Sequence, residues 1–518
     1  MPIPKPNPKP KPTRIRIRTP LRTLLRDSRA LAALAVPLAL TQLAQVALTT
    51  TDTVMMGLMG VEALAAGGLA MVIFNQLRTM GVGMVTAVGN QVAAAAARAE
   101  SADADASRDE ADEDVRDLVR AALTLATLAG LTGAVLMVLI GHAVAWLGQD
   151  AAVVDAAQPL LYAMAPGLVP CLWFQAIRQF TVGMRRPQAL LRITLAALAV
   201  NAALNWALIH GTWLLPELGL PGIGVSTSLV YLVSCLVLYA STARDPQLAP
   251  LLDIRIWKTR KNTLRRLTGL GTPIAATYGS EAGFFSVVAL IVGTFGSSAL
   301  AAHTAVNQLV YIVFQIAVGL SHAASINVSR ELALGRTDAA RRLKNTALAC
   351  AATVMAAVTA VYVLTPQLVL RPFLSPSEHQ AISLATDLLL IAAVLQFFDC
   401  AQNIGVGLLR GLDDTKGGFH VTLVGYWLIG LPAAWLLGHL AGLHTTGVWL
   451  GLLTGLAATA LLLLRRYHRG LARRAGEPLP AAAAPAGPAD AGAQTPVRAH
   501  EGHADPEEVQ TDTAGPGR

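Results

Sequence analysis

Three carboxylates of this chain stand where carboxylates are costly. Glu281 is the one formally charged side chain in the apolar stretch 267–327. Asp399 lies in a second apolar run that ends at Arg410, and Asp52 follows the hydroxyl-bearing Thr49-Thr50-Thr51 in a third. A full charge near the centre of a membrane-spanning helix costs at least ~2.5–3.5 kcal/mol. Helical rise places Glu281 roughly 22 Å beyond Arg266, and Asp399 about 16 Å from Arg410. Both positions fall well inside a hydrocarbon core of about 30 Å. An acid there must be protonated, paired, or turned toward a wet cavity. If Glu281 and Asp399 face one cavity, a proton or a sodium ion is their natural ligand. Sodium is a hard cation that takes oxygens, and Tyr278, Ser280, Asn307, Gln402 and Asn403 are near enough in sequence to supply them. Two carboxyls on unrelated helix faces, each bonded to a neighbour, is the plainer alternative. In the first half, Arg78 lies about midway along its apolar run and is the expected counter-charge of Asp52. The two would serve a substrate or proton role there, or form a purely structural pair.

The elements that must position these residues are spanning helices. The chain has 518 residues, 54% hydrophobic and 14% charged, whereas a soluble domain carries about a quarter charged residues. The expected fold class is an all-α polytopic membrane protein. Twelve apolar runs of spanning length fall six before and six after a basic stretch at 244–266. Residues 1–29 read as a disordered basic arm, 30–243 as a first lobe, 244–266 as a basic linker, 267–468 as a second lobe, and 469–518 as a disordered tail. Residues 99–117 read as a loop rich in Asp and Glu. Without an apolar core in the first 30 residues, the first span is expected to double as the insertion signal. Lys and Arg concentrate in the connections after even-numbered runs, including Arg185, Arg186, Arg330, Arg336, Arg410 and Lys416. By the positive-inside rule both termini are cytoplasmic. The net charge of +8 lies largely in loops and ends, so it gives no argument for nucleic acid. Cys171, Cys235, Cys350 and Cys400 sit in apolar runs and read as packing residues. The eleven histidines form no ligand cluster, and no phosphate-binding glycine loop is present. No cofactor is expected beyond a coupling ion.

The two halves resemble each other. At one constant offset Pro37 matches Pro273, Gly60 matches Gly296, Ala63 to Ala66 match Ala299 to Ala302, and Gly83 matches Gly319. Nearby offsets align Phe174 with Phe398, Val182-Gly183 with Val406-Gly407, and Gly224-Val225 with Gly447-Val448. An even number of helices per repeat gives both halves one orientation, hence two six-helix bundles related by a pseudo-two-fold along the membrane normal. Glu281 and Asp399 occupy positions where the first half has Gln45 and Gln175, and the counterpart of Asp52 is Val288.

Asp52-Thr53-Val54-Met55-Met56-Gly57 with Glu62-Ala63-Leu64-Ala65-Ala66 resembles the first two helices of the multidrug and toxic compound extrusion (MATE) transporters. Glu281, Ala301-Ala302-His303, Asp399 with Gly407-Leu408-Leu409-Arg410-Gly411, and Tyr426 to Pro432 extend the likeness over about residues 30–465. Acids at all three positions are most similar to the NorM-like branch, although Thr304 stands where that family usually has Gln. The resemblance implies a secondary antiporter, not an enzyme, exporting amphipathic, often cationic small molecules in exchange for Na⁺ or H⁺ by rocking of two lobes. It implies coupling-ion binding at Glu281 and Asp399, with Asp52 acting in the other lobe. The expected setting is the plasma (inner) membrane, with membrane lipids as neighbours and a monomeric carrier. A lipid-linked precursor flippase shares the architecture, but it should line its cavity with Arg or Lys. An intramembrane aspartyl protease would use two aspartates, but no Gly-x-Gly-Asp motif is present.

Overall fold

The computed structural model describes residues 21–101, 105–147, 151–212 and 216–476. Among them are twelve helices long and apolar enough to cross a membrane, and no strands. This follows from the composition: apolar runs in lipid must satisfy every backbone N–H and C=O internally, and a helix does so within one segment. The helices are α1 (Leu21–Leu58), α2 (Val61–Glu100), α3 (Asp105–Ala143), α4 (Ala151–Gly183), α5 (Gln188–His210) and α6 (Leu220–Ala243). The second six are α7 (Lys261–Gly293), α8 (Ser297–Ala333), α9 (Thr337–Leu364), α10 (His379–Gly411), α11 (Thr415–Leu440) and α12 (His444–Gly476).

The repeat is visible in local geometry. Gly60 and Gly296 precede α2 and α8 with φ of 118° and 107°, a conformation that favours glycine. Thr41 donates to the Pro37 carbonyl at 2.7 Å, and its counterpart Thr277 donates to that of Pro273 at 2.8 Å. The bundles meet along α1, α2, α7 and α8 through reciprocal close approaches. A Cβ on Gly83 would lie 2.6 Å from Ala275 Cα, and one on Gly319 would lie 2.6 Å from the Ala39 nitrogen. Each contact is the pseudo-two-fold image of the other.

Several expected boundaries move. The arm expected over 1–29 gives way to helix at Leu21; residues 1–20 lie outside the described residues. The tail expected from 469 is helical through Gly476, and 477–518 lie outside the described residues. The acidic stretch 99–117 is not a loop throughout: Asp105 begins α3, whose acidic first turns project from the bundle. Those turns hold the linker, which ends at Arg260 where α7 begins. Asp253 is 7% exposed and receives Arg120 Nη2 at 2.6 Å. Arg116 donates to the Pro250 carbonyl at 2.9 Å, and Asp117 accepts from the Arg260 N–H at 3.1 Å and from Thr263 at 2.5 Å. Arg255 beside Asp253 holds its carboxyl well below the usual carboxylate range, with a smaller contribution from Arg120.

The ends of the helices that carry the linker and the Arg-rich connections form one basic face. There the two bundles are joined by polar contacts. Arg330 pairs with Glu100 through both of its terminal nitrogens, Gln91 donates to Asp413 at 2.6 Å, Asn90 donates to Ser325 at 2.7 Å, and Arg342 lies 3.7 Å from Asp27.

Candidate functional site

In the second bundle, α10 carries Asp399 at 5% exposure, and α7 carries the half-buried Glu281. Asn403, one turn on, donates from Nδ2 to the Asp399 carboxylate at 3.3 Å and to its carbonyl at 3.1 Å. Glu281 Oε1 accepts from Tyr426 Oη at 3.1 Å. Tyr426 is fully buried, stacks on Phe284 at 4.9 Å between centroids, and lies within electrostatic range of both acids. Glu281 and Asp399 are likewise within electrostatic range of each other. Tyr426 and Trp427 fall in a π-helical turn of α11, Val424–Gly430. Such turns recur where a side chain must be re-aimed, and here both rings meet α7. Trp427 donates to Ser280 at 2.8 Å.

The expected oxygen ligands divide. Asn403 touches Asp399 directly. Gln402 is buried and its Oε1 has no partner, an acceptor that a cation would satisfy. Ser280 is taken up by Trp427, and Tyr278 accepts from Arg410 at 3.5 Å. Asn307 is half-buried on α8. No group of three or more His, Cys, Asp or Glu gathers among the described residues, so a cation held here needs neutral oxygens besides the two acids.

In the first bundle, Asp52 is fully buried. It accepts from Asn205 Nδ2 at 2.7 Å, and Thr227 Oγ1 stands 3.5 Å from its second oxygen. Asn205 also donates to Asn201 at 3.3 Å, while Asn205 Oδ1 and Asn201 Nδ2 have no partner. The expected Asp52–Arg78 pair does not form. Arg78 bonds Asn75 at 3.3 Å and lines a small cleft with Gln45, Thr49, Thr194, Tyr231 and Ser234. A neutral amide and a hydroxyl meet Asp52 instead, with Asn201 bonded to that amide. Asn201 and Asn205 stand four residues apart in the apolar stretch that follows Thr194, so they share a face; that signal was available in the sequence.

Arg410 also departs from its expected place. Read as a loop residue, it is in fact 4% exposed within α10. Its Nη2 donates to Ser321 at 3.4 Å, and Ser321 donates in turn to the Asn403 carbonyl at 2.6 Å. Arg178 is likewise buried, 2% exposed, and bonds Gln175 and Gln42.

A multi-pass helical membrane protein built from two matched six-helix bundles, each with a buried acid among neutral hydrogen-bonding groups, is the class that fold and site define. The MatE family model matches residues 37–207 and again 273–436, once in each half, and the two matches begin at Pro37 and Pro273. This chain belongs to the MatE family, whose members are transport proteins. The probable multidrug resistance protein NorM of Pseudomonas aeruginosa is 35% identical over 451 residues, covering 86% of this chain and 90% of that one. The protein of the same description from Bradyrhizobium diazoefficiens is 36% identical over 449 residues, covering 85% and 93%. Among solved structures, an outward-facing multidrug resistance MATE family transporter superposes with a TM-score of 0.78 at 16% identity, covering 87% of this chain and 98% of that one. A eukaryotic MATE transporter gives 0.75 at 19% identity, covering 87% and 99%. At such identities these likenesses show the fold alone.

Proposed function

We propose that this protein is a secondary active multidrug exporter of the bacterial inner membrane, exchanging amphipathic, often cationic compounds for Na⁺ or H⁺. The NorM-described relatives support the substrate class. One observation carries the coupling: Asp399 and Glu281 share a site around Tyr426, and neither has a cation within ion-pair distance. Carboxylates left so in a low dielectric bind a proton or a hard cation strongly, and the unpartnered Gln402 Oε1 fits a cation's need for oxygen. Ion binding drives export only if it differs between carrier states. Asp52, with Asn205, Asn201 and Thr227, is a second polar site in the first lobe, and Arg78 faces the cleft beside it. In this reading the lobes are the two six-helix bundles, they rock against each other, the basic face is cytoplasmic as are both termini, and the carrier works as a monomer among lipids.

The test is transport in proteoliposomes with Na⁺ and pH gradients imposed separately. Wild type exports under one of them. Glu281→Gln and Asp399→Asn each elute as folded protein and lose gradient-driven export. Full export by the double variant would refute the assignment.

A further inference from the structure

Arg410 is buried without an ion pair. Its two hydrogen-bond partners, the Tyr278 and Ser321 hydroxyls, are neutral and stand at 3.5 and 3.4 Å, and its Nε has no partner at all. Leaving a buried guanidinium uncompensated costs several kcal/mol, and contacts at the long end of the hydrogen-bond range recover little of that. Arg120, by contrast, is forked onto Asp253 and Glu113, and the similarly buried Arg178 is held by two amides at 2.9 and 3.0 Å. Its partner Tyr278 stands on α7 one turn before Glu281, which puts that acid on the side of α7 nearest Arg410. His322 lies within electrostatic range of Arg410, with an unpartnered Nε2. Through Ser321, Arg410 reaches the backbone of Asn403, whose amide holds Asp399. It therefore touches the supports of one acid and stands by the other.

We propose that Arg410 is a tethered counter-ion for Glu281, resting against Tyr278 and Ser321 while the coupling ion is bound and neutralising Glu281 when that ion leaves. This rests on the reading of Glu281 as a coupling-ion ligand. An ion-free carrier must otherwise hold two acids uncompensated in a low dielectric. A charge on a leash lowers the free energy of that state and hastens release, because the guanidinium and the ion compete for one carboxylate. Arg410 is then a positioning residue that sets ion affinity.

The test compares variants in two readouts. One is the half-saturating concentration of the driving ion, read by intrinsic tryptophan fluorescence of the purified full-length chain; the other is gradient-driven export. Arg410→Gln should bind the ion at least about fivefold more tightly while export falls at least about tenfold. Arg410→Lys should stay within about twofold of wild type in both. Adding Arg410→Gln to Glu281→Gln should leave affinity within about twofold of Glu281→Gln alone. A merely structural arginine would weaken binding and export together. Unchanged or weaker binding in folded Arg410→Gln overturns the proposal. Should that variant not fold, a loss of export in folded Arg410→Lys overturns it, and retained affinity and export support it. Full export by Glu281→Gln would instead defeat the underlying coupling reading, and is told apart by that variant alone.

Discussion

Gly83→Ala is a one-carbon change whose effect can be worked from the seam between the bundles. The added Cβ would lie 2.6 Å from Ala275 Cα and 2.8 Å from its nitrogen. Both obstacles are backbone atoms, so no rotamer change relieves them. Packed helices resist such insertions, which cost about 1–3 kcal/mol. The cost falls on the arrangement in which α2 touches α7, and it is relieved wherever the bundles separate. A shift of that size changes the population ratio about 5–150-fold. Ile326, 2% exposed and packed toward Gly89 across the seam, is the reporter. With the four native cysteines replaced and Ile326→Cys introduced, maleimide labelling from the basic face should accelerate at least about fivefold in Gly83→Ala. Gly319→Ala, the pseudo-two-fold image, should act in the same direction and to a similar extent. Unchanged labelling in both folded variants would refute the reasoning, because the strain would then be borne equally in every state and the seam would not part.

Two further outcomes are expected. Asp253→Asn removes the charge-assisted bonds that fix the linker to α3, so thermal unfolding in detergent should drop by a few degrees, about 2 kcal/mol. Asp253 has its folded pKa depressed, so its contribution is present above the unfolded value of about 3.9 and is lost as pH falls through the lower folded value; below about pH 4 wild type should lose stability more steeply than Asp253→Asn, and parallel melting curves would contradict this. Asn205→Ala takes the 2.7 Å donor from Asp52, at a cost of about 1–3 kcal/mol, and should lower folded yield by fluorescence-detected size exclusion, whereas adding Arg78→Gln to Asp52→Asn should recover no yield, since no ion pair joins those residues.

The sequence was most legible where one physical rule acted alone. Twelve helices follow from apolar length, and the pseudo-symmetry from matched residues such as Gly83 and Gly319, which prove to be the reciprocal contacts of the seam. Glu281 and Asp399 could be singled out because charge in an apolar run is costly. Partners were less legible. Opposite charge nominated Arg78 for Asp52, but the fold met that acid with Asn205 and Thr227, since neutral donors satisfy a carboxylate without burying a second ion. Arg410 counted as a loop residue because positive charge near a helix end usually is one. Its burial comes from the packing of α10 on α8 and α12, which hydropathy does not report. The acidic stretch 99–117 read as a loop for a related reason: its helical turns meet the linker through polar contacts such as Asp114–Arg260 and Asp117–Arg260, and an apolar-period search does not detect them.

The clamp on the linker also bears on the proposed rocking of the two bundles. Thr263, in the first turn of α7, is held by Asp117 of α3 at 2.5 Å. The seam runs from this α3–α7 edge through α2 and α8 to the opposite edge, where Asp27 of α1 meets Arg342 of α9. If the Asp117–Thr263 contact persists while the rest opens, the motion is that of a door hung on one jamb. Travel is least beside Thr263 and greatest beside Arg342, and torque scales with that distance. A small molecule wedged between Asp27 and Arg342 would then hold the door shut with the least force, so the free edge is the place to seek an inhibitor that does not compete with cargo.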